Sequence, residues 1–300
     1  MSYDLFFNPR RGAVTRREFA AYFRERPHYK VKSGVAAYAN EDTDTEFQFS
    51  FIDPADVAHN LFAHPDEARH ALRFTVGYFL PSYTMQEAAP EIAAFAKEFR
   101  LKVTNPQDAG VTRGKALVSS WNERNLDYYR LVLRDPEERA GHPMLPTGDV
   151  QRIWRWNRGR NALQQKVGRT KFVPRVMFFE VDGHLGTASV WGSGVPLVAM
   201  PVTWLVIPRS DSRTRRRGLR LLEWKAAMEL LGSRVRKRRR TVVFDYDEAP
   251  PDIRSFLRRV PVESRPIRSF RASQVLDREA VELAVAPKRR MKSTHILLRI

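Results

Sequence analysis

Strict alternation in EFQFSF places Phe47, Phe49 and Phe51 on one face of a strand over residues 46–51. An apolar stretch over residues 35–38 precedes it, and the polar NEDTD between them (Asn40 to Asp44) predicts a hairpin tip. YDLFF, closed by Asn8-Pro9, reads as a buried strand, and ALRFTVGYF (71–79) and LKVT (101–104) as two more. Elsewhere the period lengthens to that of a helix. Thr15 with Glu18 makes a capping box ahead of Phe19, Tyr22 and Phe23, and Ile92, Phe95, Ala96 and Phe99 share one stripe of a helix over residues 86–99. Residues 53–69 hold no clear period and are read as partly helical.

The order strand, helix, three strands, helix, strand approximates a ferredoxin-like βαββαβ plan, in which two helices cover one face of an antiparallel sheet. The predicted fold class is α+β, with this ferredoxin-like domain over residues 1–108. A connecting helix (115–133) and a Pro- and Gly-rich linker (138–149) occupy residues 109–149. A second α+β domain, residues 150–300, begins with a helix over 150–167. It continues with a three-strand meander (FVPRVMFFEV, HLGTASVW, VPLVAMPVTWLVI), a helix over 218–231 and a strand over 241–244. Asp182-Gly183 and Gly192 to Gly194 supply the turns of the meander. Pro250-Pro251 opens a short helix, and residues 280–286 and 295–300 read as late strands.

The element order from 150 to 244 resembles the core of restriction-endonuclease-like nucleases. That resemblance implies an acid on the second strand and an acid-x-Lys on the third, yet neither HLGTASVW nor VPLVAMPVTWLVI carries an acid. It implies a retained binding frame at most.

Charge separates the same two halves. Residues 1–150 carry 19 Lys+Arg against 21 Asp+Glu, whereas residues 151–300 carry 33 against 13. Arginine supplies 41 of the 52 cations, as GC-rich coding favours, but coding bias does not remove acids. Between Gln151 and Leu205 the only acids are Glu180 and Asp182. A half with that excess attracts polyanions. The absence of cysteine excludes disulfides, thiolate metal sites and cysteine nucleophiles, and it suits a reducing cytoplasm. The first residues lack the basic-then-apolar order of a secretory signal, and the longest apolar stretch, 195–207, is interrupted by Pro201. It falls short of the roughly 20 residues that span a bilayer. A cytoplasmic protein with no membrane partner is expected.

No catalytic motif is present. His59, His64 and His70 lie near Asp66 and Glu67, but their spacing of five and six puts no two on one helical face. WGSGVP lacks a nucleophile elbow, and GVTRGKA (110–116) is one residue short of a phosphate loop and ends in Ala. Asp245 and Asp247, alternate residues at a strand end, could share a divalent ion, or they could cap the next helix and balance nearby arginines. No catalytic residue and no cofactor is assigned.

Candidate anion contacts are denser. RIWRWNRGRNALQQK interleaves Trp154 and Trp156 with Arg152, Arg155, Arg158 and Arg160. Arginine offers bidentate phosphate contacts and exposed tryptophan can stack on bases. Helical spacing groups Trp156 with Ile153 and Asn157 in the core and leaves Trp154 outside. The 218–231 helix is apolar all round, so its cations gather at its ends. Arg213, Arg215, Arg216, Arg217 and Arg220 crowd its N-terminus, which is unfavourable without an anion. Arg236, Lys237, Arg238, Arg239 and Arg240 form a secondary patch at the other end, where the dipole favours cations. These residues predict a non-enzymatic protein whose basic half binds the backbone of DNA or RNA. The alternatives are an immunity- or adaptor-type protein that neutralises an acidic protein partner, and a metal-dependent nuclease using Asp245 and Asp247.

Overall fold

The phenylalanine-rich alternation of the first hundred residues builds a sheet of six strands. They are β1 (Ser2–Pro9), β2 (Tyr29–Lys32), β3 (Val35–Asn40), β4 (Thr45–Phe51), β5 (Leu72–Gly77) and β6 (Leu101–Thr104). All neighbours pair antiparallel, in the order β2-β3-β4-β5-β1-β6. The computed structural model describes residues 1–52, 71–108, 110–111, 113–192, 194–208, 219–238 and 241–286. Helices α1 (Arg16–Arg24) and α2 (Tyr83–Glu98) bring Phe19, Phe23, Ile92 and Phe95 onto Phe7, Phe49 and Phe74, all within one buried cluster. Ring centroids of 4.9 Å for Phe23–Phe49 and 5.0 Å for Phe49–Phe95 show interlocked aromatic packing. The Thr15/Glu18 capping box that starts α1 is formed.

The chain continues through α3 (Gly114–Val132), α4 (Pro136–Ala140), β7 (Met144–Leu145) and α5 (Thr147–Val167). The predicted linker thus holds part of α4, a short strand and the start of α5. Next come β8 (Val176–Val181), β9 (His184–Val190), β10 (Val198–Ala199), β11 (Trp204–Ile207) and β12 (Arg220–Glu223). Then follow α6 (Trp224–Leu231), β13 (Val235–Lys237), β14 (Val242–Phe244), α7 (Pro251–Arg259), β15 (Ile267–Phe270), β16 (Leu276–Asp277) and α8 (Arg278–Val285). The result is a mixed α+β fold with several antiparallel pairings. No helix among the described residues is long and apolar enough to cross a membrane.

Four sequence expectations are corrected. The 195–207 run is broken at Pro201 into β10 and β11, which serve different sheets. Strand β11 lies parallel to β9, so these strands do not form a meander, and β14 pairs with β10 and β13 in a separate three-stranded sheet. Residues 218–231 are not one helix: β12 pairs antiparallel with β11, and only α6 is helical. The five-stranded sheet β12-β11-β9-β8-β15 carries apolar side chains on both faces, with Leu205, Ile207 and Leu222 on one and Trp204, Val206 and Leu221 on the other. A strand buried on both faces has the same unbroken apolar sequence as a buried helix.

The third correction concerns RVRKRRR, of which Val235–Lys237 is the edge strand β13 of a hairpin; α6 has already ended at Gly232, in the left-handed region at φ 52°. The fourth concerns residues 280–286, which form the end of α8 and its cap at Ala286. Val281 and Ala284 are buried at helical spacing against α3, while Leu283 stands exposed between them. The expectations for 53–69 and 295–300 lie outside the described residues. Gly186, inside β9, answers to a close approach: a Cβ there would stand 2.6 Å from the Trp204 ring.

The acidic hairpin between β3 and β4 docks on the basic half. Asp42 accepts from Arg160 at 2.7 Å and from Asn161 at 2.9 Å, and Asp44 accepts from Arg175 and from the Ala272 amide, each at 2.7 Å. Glu46 pairs with Arg271. Beneath them Glu87, 1% exposed, accepts from Tyr38 Oη (2.8 Å), Asn40 Nδ2 (2.7 Å), Thr45 Oγ1 (3.0 Å) and Trp154 Nε1 (2.6 Å). Part of the cationic excess is therefore spent on internal docking.

A second buried carboxylate, Asp277, accepts from the Ser82 amide at 2.6 Å and the Ser82 hydroxyl at 3.1 Å. Burial raises its pKa against the lowering effect of those two bonds, and Glu279 adds to the rise. A carboxyl whose folded pKa exceeds its unfolded value binds more protons in the native state, so its contribution is present in acid and is lost as pH rises through the folded pKa. Asp277→Asn keeps one oxygen for the Ser82 amide, turns its N–H₂ toward the Ser82 hydroxyl oxygen and carries no charge. Wild type is expected to decline in urea midpoint from about pH 4 toward neutrality through this group, and the variant to lack that decline. An unaltered decline in the variant would assign it to other groups.

Candidate nucleic-acid interface

Helix α5 is positioned by side chains that hold the segment following it. Asn157 Nδ2 donates to the Val176 carbonyl, the Val176 amide donates back to Asn157 Oδ1, and Gln164 Oε1 accepts from the Val173 amide. Its buried stripe is Val150, Ile153, Trp154 and Asn157. This reverses the expected roles of the two tryptophans. Trp154 is 8% exposed, stacks on Tyr83 with ring centroids 5.9 Å apart, and donates to Glu87. Trp156 is the half-buried one, with its indole N–H on the Pro174 carbonyl at 2.9 Å. The cause is a buried acceptor and a ring on α2, which helical spacing within α5 cannot reveal.

Two cavities adjoin along the outer side of this helix. One, of about 380 Å³, lies against Arg152, Arg155 and Trp156 of α5 and reaches Met200 and Thr241. The other, of about 560 Å³, runs from Arg152 and Thr241 past Trp224, Lys225 and Met228 of α6 to Lys237 and Arg238. Arg152 and Thr241 line both, so the two form one groove. Among the described residues, five cations and no carboxylate line it.

Each wall follows from local structure. Arg152, Arg155 and Trp156 stand at i, i+3 and i+4, one face of α5. Trp224 and Met228 do the same on α6. In β13 the side chains alternate: Arg236 turns to Asp245, at 2.5 Å, and Lys237 faces the groove. The hairpin closes through paired backbone bonds between Arg238 and Thr241, which set Arg238 at the rim.

The cations divide by what they already hold. Arg160 is committed to Asp42, Arg234 to Asp252 at 2.8 Å, and Arg236 to Asp245. Arg158 lies exposed over the Trp154 ring at 5.5 Å, away from the groove lining. Arg152, itself half exposed, pairs with Asp149 at 2.9 Å, and Arg155 bonds the Gln151 carbonyl. Lys225, Lys237 and Arg238 are exposed and form no ion pair among the described residues. An ion pair at the surface is weak enough for phosphate to displace, so Arg152 remains available.

Of the sequence-predicted set, the groove brings together Arg152, Arg155, Lys237 and Arg238. It excludes Trp154 and Arg160. Arg220 lies on β12, with its guanidinium 3.4 Å from the Arg258 carbonyl, and not at a helix N-terminus; α6 starts at Trp224 behind Glu223. Arg213, Arg215, Arg216, Arg217, Arg239 and Arg240 lie outside the described residues, as do His59, His64 and His70. Asp245 is paired with Arg236, Asp247 is exposed, and among the described residues no three His, Asp or Glu side chains converge. Trp224 and Lys225 were missed; the signal for them was the Trp224–Met228 spacing, hidden once residues 218–231 were read as one buried helix. No protein-family model, curated protein or solved structure matches this chain.

Proposed function

We propose that the protein is a non-enzymatic binder of nucleic-acid backbone, with the α5–α6–β13/β14 groove as its contact surface. The observation that carries this reading is the continuous groove lined, among the described residues, by five cations and no acid. Field lines between low-dielectric walls concentrate there, which favours a polyanion over a single small anion. Trp156 and Trp224 in its walls provide apolar surface on which bases or sugars can rest. No base-reading motif accompanies them, so the contacts are to phosphates and independent of sequence. The amino-terminal sheet is read as a ferredoxin-like plan extended by the β2–β3 hairpin, an interpretation supported by the order β6-β1-β5-β4 over the four strands at one end of the sheet. Lack of cysteine agrees with residence in the cytoplasm, where DNA and RNA are encountered.

Fluorescence anisotropy with labelled duplex DNA, single-stranded DNA and RNA tests the reading. If all five cations engage phosphates, the logarithmic salt slope for duplex should be about −4.5. A slope near zero, or no binding to any of the three at low salt, overturns it.

A further inference from the structure

A separate cavity of about 350 Å³ opens on the far half of the molecule, between α2, β6 and the start of α3. Its floor is apolar: Ile92, Leu117, Leu101 and Val103 are each at most 9% exposed, and the small side chain of Ala93 leaves the α2 wall low. Its rim is cationic. Arg10 follows β1, Lys97 ends α2, Lys102 projects from the edge strand β6, and Arg113 precedes α3. Four elements thus bring positive charge to one apolar cleft, and no carboxylate among the described residues lines it. None of the four cations forms an ion pair among the described residues. This stands out in a half whose acids outnumber its cations, 21 to 19 over residues 1–150.

We infer that this cleft binds a small amphiphilic anion, an alkyl monocarboxylate, with its chain on the Ile92/Leu117 floor and its head group among Lys97, Lys102, Arg10 and Arg113. The volume suits one medium-length chain and not a folded partner, since ligand sites of this kind start at about 300 Å³. Apolar area removed from water supplies the affinity, and the cationic rim fixes which end of the ligand faces out. A nucleic-acid backbone has no apolar chain to offer this floor, which distinguishes the cleft from the basic groove.

The test is calorimetric titration of the full chain with sodium decanoate below its micellar concentration. One saturable site is expected. Octanoate should bind about fifteenfold more weakly, the effect of two methylenes, and neutral decanol at least about tenfold more weakly. Lys97 and Lys102 are exposed, so Lys97→Ala with Lys102→Ala leaves folding intact and should weaken decanoate by about tenfold or more. Ala93→Trp, also at an exposed position, should fill the cleft and abolish binding while the thermal midpoint is kept. Decanoate binding that neither variant alters overturns the site. So does a failure to saturate, or acetate or inorganic phosphate binding as tightly as decanoate.

Discussion

Replacing Glu87 with alanine is expected to cost the folded protein about 3–4 kcal/mol, measured by urea unfolding followed through tryptophan fluorescence. The carboxylate is the common acceptor for Tyr38, Asn40, Thr43, Thr45 and Trp154, and all six residues are buried. Removing it leaves five donors without that acceptor in a site closed to solvent. Each such group costs about 1 kcal/mol or more when it cannot be re-satisfied, and water entering the vacated space recovers only part. Glu87→Gln keeps the shape but turns an N–H₂ toward groups that are themselves donors, so about half the loss should remain. The location makes the loss global. Trp154 belongs to α5 and the other donors to the β3–β4 hairpin, so the carboxylate holds the groove-bearing helix to the amino-terminal sheet. A loss below about 1 kcal/mol for Glu87→Ala would show that the network is not a principal tie.

The double substitution Lys237→Ala with Arg238→Ala is expected to weaken nucleic-acid binding about fiftyfold at ~0.1 M salt and to reduce the salt slope by about 2. Each phosphate contact contributes a slope of about 0.9, which at that salt is about a factor of eight in affinity. Both side chains are exposed and neither forms an ion pair among the described residues, so the unfolding midpoint should not move. Arg175→Ala supplies the opposite control. Its partner Asp44 tethers the β3–β4 hairpin, and the guanidinium does not line the groove. Stability should fall there while the salt slope stays. Equal losses of affinity from the two substitutions would place the binding surface elsewhere.

The contrast between those arginines shows why charge counting alone misplaces a site. Arg160 and Arg158 lie in the same sequence cluster as Arg152 and Arg155. One is spent on Asp42 and the other leans on Trp154, while the remaining two face open space. Lys237 was legible only as a member of a patch, because the helix expected before it assigned that patch to a dipole. Once β13 is a strand, alternation separates Arg236, paired to Asp245, from Lys237 in the groove. The two tryptophans of α5 exchanged roles for a related reason: local spacing ranks faces by apolar content, and Trp154 is held by an acid 67 residues away.

By itself, the sequence determined the periodic elements of the first hundred residues other than the edge strand β2, the capping box of α1, the Asp182-Gly183 turn between β8 and β9, and the acidic hairpin tip. Each depends on contacts within a few residues, or on one buried face whose period is printed in the chain. It also determined the charge asymmetry, which requires no fold. Tertiary structure alone decided that residues 220–223 extend β11, that β11 runs parallel to β9, and that the arginines of one cluster divide between docking and solvent. A strand covered on both faces loses its period, and an ion pair between distant segments leaves no local signature. Which cations remain free for a ligand is set only after the acids of the other half have taken their partners.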